Sequence, residues 1–220
     1  IAVAVQNNVG GKDAEVLKRF DEPAWNNPVV RIMDADGKDL VPRNGGDWTT
    51  PALLLMMHRA LGKAEIAIPA WLNLVAAEAA STKRSTVAFK VDCYWVGEAK
   101  LGRLAGVVDS RIGMFDGGEA VEIDYDASVV TLEKLVQEAA SIDCARKVYV
   151  HSADDEKTVR KLGLLDVAKT DGRIRLVDEE KHDLAADDRF YRIPMTAAQA
   201  TRANSLAEKK KKPSAILSPS

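Results

Sequence analysis

Alternating apolar and polar positions recur along this chain, and between them lie segments with helical spacing. Residues 1 to 6 open as Ile1-Ala2-Val3-Ala4-Val5, a strand-like run. Residues 12 to 20 read as a short helix with Val16, Leu17 and Phe20 on one side. Asn26-Asn27-Pro28 is a turn, and the β-branched run from Val29 to Met33 is a strand. Asp36-Gly37 supplies a tight hairpin turn, from which Lys38 to Val41 returns as the partner strand. Residues 49 to 61 form an amphipathic helix, with Thr49 or Thr50 as N-cap, Pro51 in the first turn and Gly62 at the end. Residues 69 to 81 read as a helix containing Trp71, Leu74 and Val75.

The pattern changes after Lys83-Arg84-Ser85. Val87, Phe89 and Val91 alternate as a strand, Glu98 to Leu104 is helical, and Val107 to Met114 is a strand. Asp116-Gly117-Gly118 turns the chain into a strand from Ala120 to Tyr125, with Val121, Ile123 and Tyr125 on one face. A helix over 131 to 141 carries Leu132, Leu135, Val136 and Ala139 on one buried stripe, and Lys147 to Val150 is a final strand. The order is β-α-β-β-α-β, the ferredoxin-like arrangement of an α/β (α+β) protein. In its usual strand order, 4-1-3-2, the first strand neighbours the third and the fourth. Beyond residue 152 the pattern predicts a helix from Asp154 to Leu162, a strand from Ile174 to Val177, and a helix from Met195 to Leu206 capped by Thr196. The run Glu208 to Pro213, with four consecutive lysines, starts a tail; it reads as a solvated tail before it reads as a phosphate-binding one.

Composition narrows the function classes. The 220 residues are 46% hydrophobic and carry a formal net charge of -2, which gives no general attraction to nucleic acid or to an anionic membrane. Apolar runs such as Ala52 to Met57 are too short to span a bilayer. No charged-then-apolar leader is visible, while the immediate strand-like opening suggests a segment upstream of Ile1. The compartment stays open, with a soluble, cytoplasmic setting favoured. Two cysteines, Cys93 and Cys144, are too few for a disulfide scaffold or, alone, for a metal site. His58, His151 and His182 are scattered, and no metalloprotease, P-loop or dinucleotide fingerprint occurs. Gly10-Gly11-Lys12 reads as a plain helix-start loop before it reads as a phosphate site.

Cys93 is the candidate nucleophile. It follows a strand and precedes a helix, in Asp92-Cys93-Tyr94-Trp95-Val96-Gly97-Glu98. Free N–H groups at a helix start favour negative charge and hence a thiolate. The rings of Tyr94 and Trp95 suit an apolar group such as a methyl on sulfur. Glu119 shares a face with Val121 and Ile123 by period-two alternation. Desolvation there would keep its carboxyl protonated, as a general acid requires. Each residue has a plainer reading: Cys93 and Cys144 as buried thiols, Tyr94 and Trp95 as core packing, Glu119 as the residue closing a Gly-Gly turn.

Two resemblances extend this reading. Residues 1 to 62 resemble the C-terminal half of a thioredoxin fold, with Pro28 in the place of that family's cis-proline and the family's redox segment expected before Ile1. The segment from Val87 to Ile142 resembles the core of the methionine sulfoxide reductase A family. Asp92-Cys93-Tyr94-Trp95 stands where the family has Gly-Cys-Phe-Trp, Gly106-Val107 where it has a Gly-Val strand, and Gly117-Gly118-Glu119-Ala120-Val121 with Tyr125-Asp126 where it has His-Ala-Glu-Ala-Val and Tyr-Asp. The resemblance implies Cys93 as attacking thiol, Tyr94 and Trp95 as the methyl pocket, Glu119 as proton donor and Cys144 as resolving thiol. It implies oxidised protein or free methionine as substrate, a thiol reductant such as a thioredoxin, and no cofactor. Asp92 replaces the family's glycine, and an acid beside a thiol opposes its ionisation. The family's Asp-x-Gly-x-Gln-Tyr-Arg-Ser motif gives way to Cys144-Ala145-Arg146-Lys147, so another stretch, such as Arg189-Phe190-Tyr191-Arg192, would have to complete the pocket. The expected organisation is a partial thioredoxin-like segment over 1–63, a helical connector over 64–84, a reductase-like domain over 85–200, and the end of the C-terminal helix with a basic tail over 201–220. A non-catalytic binding module, or a subunit of a larger assembly, is the alternative function.

Overall fold

In a computed structural model, residues 4–6, 10–23, 25 and 28–217 are described. The chain forms two compact units, residues 1–68 and 69–220.

In the first unit, helix α1 spans Lys12–Arg19, with Asp13 and Glu15 in its first turn and Lys18 and Arg19 in its last, matching the helix dipole. The expected strand pair after Pro28 is reduced to two isolated bridges, Val30 with Asn44 and Met33 with Asp39. Side chains do much of the pairing there. The Asp34 carboxyl accepts the N–H groups of Asp36 and Lys38, and Arg31 binds Glu22 and Asp39. Helix α2 spans Thr50–Lys63, and the Thr49 hydroxyl accepts the Ala52 N–H. Gly62 lies inside its last turn and does not end it. Val41, Met56 and Ala60 form a small core. Of the strand expected over 1 to 6, residues 1–3 lie outside the described residues, and residues 4–6 form none. The Asn26-Asn27 step also lies outside them.

In the second unit, helix α3 (Ala70–Ala80) leads into strand β1 (Arg84–Val91), helix α4 (Tyr94–Gly102), and strands β2 (Val107–Phe115) and β3 (Gly118–Asp126). Helix α5 (Leu132–Ser141), strand β4 (Ala145–Val150), helix α6 (Ala153–Leu162) and strands β5 (Asp166–Lys169) and β6 (Arg175–Leu176) follow. Short helices α7 (His182–Ala185) and α8 (Asp188–Tyr191) precede α9 (Ala197–Glu208) and a 3-10 turn, Pro213–Ile216. The result is a mixed α/β structure on a six-stranded open sheet, in the order β5-β4-β1-β3-β2-β6. Strand β1 pairs antiparallel with both β3 and β4, β2 pairs antiparallel with β3 and β6, and β5 runs parallel to β4.

One face of the sheet carries the core. Val87, Phe89, Val121, Ile123, Val148 and Val150 meet Leu101 of α4 and Leu135, Val136 and Ala139 of α5. Burying large aliphatic and aromatic side chains contributes about 1.5–3 kcal/mol each. Helix α4 lies close on the sheet because Gly97 has no side chain; a Cβ there would meet Val121 Cγ2 at 3.0 Å and Val91 Cγ1 at 3.2 Å. The lysine-bearing end is not simply a solvated tail, since Ile216 is buried with Leu184 and Ala203. No described helix is long and apolar enough to cross a membrane.

Candidate functional site

The expected helix at Glu98 begins four residues earlier, so Cys93 is its N-cap. Its backbone is extended, its carbonyl accepts the Gly97 N–H at 3.0 Å, and its thiol makes no capping bond. The thiol is half-buried and free. Four N–H groups at any helix start lack intrahelical acceptors. One of these, Tyr94 N–H, donates to Glu119 Oε2 at 2.7 Å. Pairing of Lys90 with Ala120 places Glu119 opposite the end of β1, and alternation aims it at the face that holds Val121 and Ile123. Cys93 and Glu119 are thereby brought to one end of the sheet, tied through the amide between them.

Asp92 is met by a cation. Both of its carboxylate oxygens accept from the Arg146 guanidinium, one of them at 3.0 Å from Nε. That hydrogen bond holds the Asp92 carboxyl below the ordinary carboxylate range. Arg146 reaches it through a bulge: Lys90 pairs with Lys147 and Val91 with Ala145, leaving Arg146 as the extra residue of β4.

Cys144 lies on the adjoining strand end, where its carbonyl accepts the Asp92 N–H at 3.0 Å. Its thiol is buried in the main core, and burial pushes it above the ordinary thiol range.

Tyr94 and Trp95 both pack partly against the core and stand edge to face, 5.6 Å between centroids. The Tyr94 hydroxyl donates to Glu179 Oε2 at 3.2 Å, and burial, with Glu179 beside it, pushes the phenol up. Trp95 stacks flat on His182, 4.0 Å between centroids and 12° between planes. Together they line a groove of about 740 Å³ with Leu176, Val177, Asp178, Glu179 and Glu180. The Trp95 indole N–H is buried and finds no acceptor among the described residues.

Residues 176–185 wall this groove, and the described side chains of Arg189 and Phe190 turn elsewhere. Phe190 packs with Leu184 and Ala203, and Arg189 binds Asp187. Behind the groove, Glu98 is wholly buried and accepts from Lys181 Nζ and Lys181 N–H, both at 2.9 Å, and from Asn204 Nδ2 at 3.3 Å. Burial pushes the Glu98 carboxyl up, against the pull of Lys181. His182, Glu98 and Lys181 leave little trace in the sequence. A glutamate three residues after Trp95 on the buried face of α4 is the one signal that points to them.

No protein-family model matches the chain, and no curated protein is significantly similar to it. What the site can do therefore rests on its own residues.

Proposed function

We propose that the chain is a thiol oxidoreductase that reduces methionine sulfoxide, or a related oxidised sulfur, through Cys93. The observation that carries this reading is the 2.7 Å bond from Tyr94 N–H to Glu119 Oε2, which sets an acid beside a thiol at a helix start. The Cys93 sulfur attacks the sulfoxide sulfur, and Glu119 protonates the departing oxygen. The sulfur–sulfur bond formed in that attack and the sulfur–oxygen bond of the substrate then break, the hydroxyl passes to Cys93 as a sulfenic acid, and the substrate leaves as a thioether. The substrate gains two electrons and Cys93 loses two. The proton released by the thiol replaces the one Glu119 gives up, and no cofactor enters the balance. Tyr94 and Trp95 receive the methyl group.

Cys144 is the resolving thiol. Its condensation with the sulfenic acid releases water and leaves a disulfide that an external dithiol, such as a thioredoxin, reopens. Burial pushes the Cys144 thiol up, which opposes the ionisation this step draws on. The antiparallel order β4-β1-β3-β2 supports a ferredoxin-like unit of the reductase A type. In the first unit, the order of α1, a Pro28-led hairpin and α2 supports a partial thioredoxin-like segment.

The test is reduction of a methionine sulfoxide peptide by dithiothreitol, with dimedone capture of sulfenic acid. Cys93→Ser is expected to lower turnover to less than about a thousandth, and the dimedone adduct to form on Cys93 only after sulfoxide is added. Turnover that survives in Cys93→Ser overturns the reading in favour of a non-catalytic binding module.

A further inference from the structure

Glu98 carries a carboxylate to a place with no solvent exposure, where an unpaired charge is heavily penalised. It is not unpaired: Lys181 supplies both its ammonium and its backbone N–H, Asn204 supplies its amide, and the Ser110 hydroxyl lies 3.5 Å away. Lys181 in turn reaches the Ser110 carbonyl, and Asp109 stands 3.6 Å from its ammonium. Its backbone sits at φ 57, a left-handed conformation uncommon for residues other than glycine. Asn204, on α9, also accepts the Leu184 N–H at 3.0 Å.

The spacing of these contacts gives the arrangement its meaning. Trp95 and Glu98 are three residues apart on α4 and so share one side of the helix. Lys181 and His182 are adjacent. Helix α4 therefore grips the segment at two consecutive points, with Glu98 on Lys181 and Trp95 on His182. We propose that Glu98 and Lys181 are positioning residues, whose buried ion pair holds residues 178–185 so that the His182 ring lies flat on Trp95 and walls the groove that the two rings line. As a role in substrate binding, this rests on the oxidoreductase reading; as a statement about the ring stack, it does not. Buried ion pairs add little net stability over apolar replacements, and fixing one arrangement is their better-attested use.

The experiment follows acrylamide quenching of the tryptophan emission of the full chain, because a ring lying flat on an indole covers one of its faces. His182→Ala is expected to raise the quenching constant above wild type, and to have no such effect in a Trp95→Phe background. Glu98→Gln and Lys181→Met are expected to give at least half of that rise, and Lys181→Arg none. With the peptide sulfoxide, Glu98→Gln and Lys181→Met are expected to raise KM about tenfold or more while kcat stays within about threefold. Should the single variants fail to fold, Glu98→Leu with Lys181→Met replaces both charges by apolar groups and is read in the same way. Wild-type quenching in the folded pair variants overturns the proposal, and so does wild-type quenching in His182→Ala. The emission measurement needs no turnover, so it tests the ring stack even if Cys93 proves inactive.

Discussion

Cys93 and Cys144 sit on adjoining strand ends, joined by one backbone hydrogen bond from Asp92 to Cys144. Their surroundings are opposite. Cys93 is half-buried at the start of α4, among backbone amides, a carboxyl and a compensated ion pair. Cys144 is sunk in the hydrocarbon of the main core with its thiol pushed up by burial. The same side chain is a half-buried candidate nucleophile in one place and a buried candidate resolving thiol in the other. The difference comes from which polar groups each strand end leaves unsatisfied, and sequence distance plays no part.

The contrast can be broken most directly by alkylation. Iodoacetamide under native conditions is expected to label Cys93 at least about a hundredfold faster than Cys144, because the second needs local opening. Peptide mapping after timed quenching reads the two rates, and equal rates would erase the distinction. Stability gives a smaller effect. Cys144→Ser puts a hydroxyl into an apolar site and is expected to cost about 1–3 kcal/mol. Cys93→Ser is expected to stay within about 0.5 kcal/mol, and urea melts measure both.

A pH series sharpens the same point. The folded-state value of the Cys144 thiol lies above its ordinary value, so its contribution to stability is complete below about 8.5. As pH rises further the unfolded thiol ionises first, and that stability is lost on the way up to the folded value. Cys144→Ala is expected to flatten the alkaline fall in urea midpoint, while Cys93→Ala leaves the part owed to Cys144 unchanged. The smallest effect concerns the exposed pair beside the nucleophile. Arg146→Met leaves Asp92 uncompensated and is expected to slow Cys93 alkylation near neutrality by about twofold to fivefold, less so in high salt.

The strands are legible because their code is local. Val87, Phe89 and Val91, like Val121, Ile123 and Tyr125, alternate on the pleat, and the same rule places Glu119 on the face of the core. Periodicity puts the start of helix α4 four residues late, since exposed Val96 and the helix-weakening Gly97 blur it. Gly97 belongs there for a tertiary reason, the closeness of Val121 and Val91. Residues 176–185 are opaque for a different cause. Their fold depends on a two-residue strand, a four-residue helix and the left-handed Lys181, all held by bonds to Glu98 and Asn204 far away in the chain. Apolar alternation overstates the pairing after Pro28, because it does not show that side chains such as Asp34 and Arg31 take over bonding that a ladder would otherwise make.

The bulge at Arg146 has one further consequence. Because Val91 pairs with Ala145, Arg146 occupies no rung of the β1–β4 ladder. Its guanidinium is thus a length variant of the sheet, added between two rungs at no expense to the hydrophobic inventory. A chain shortened by that single residue would join Ala145 directly to Lys147 and keep both pairings, with an intact scaffold and an unguarded Asp92.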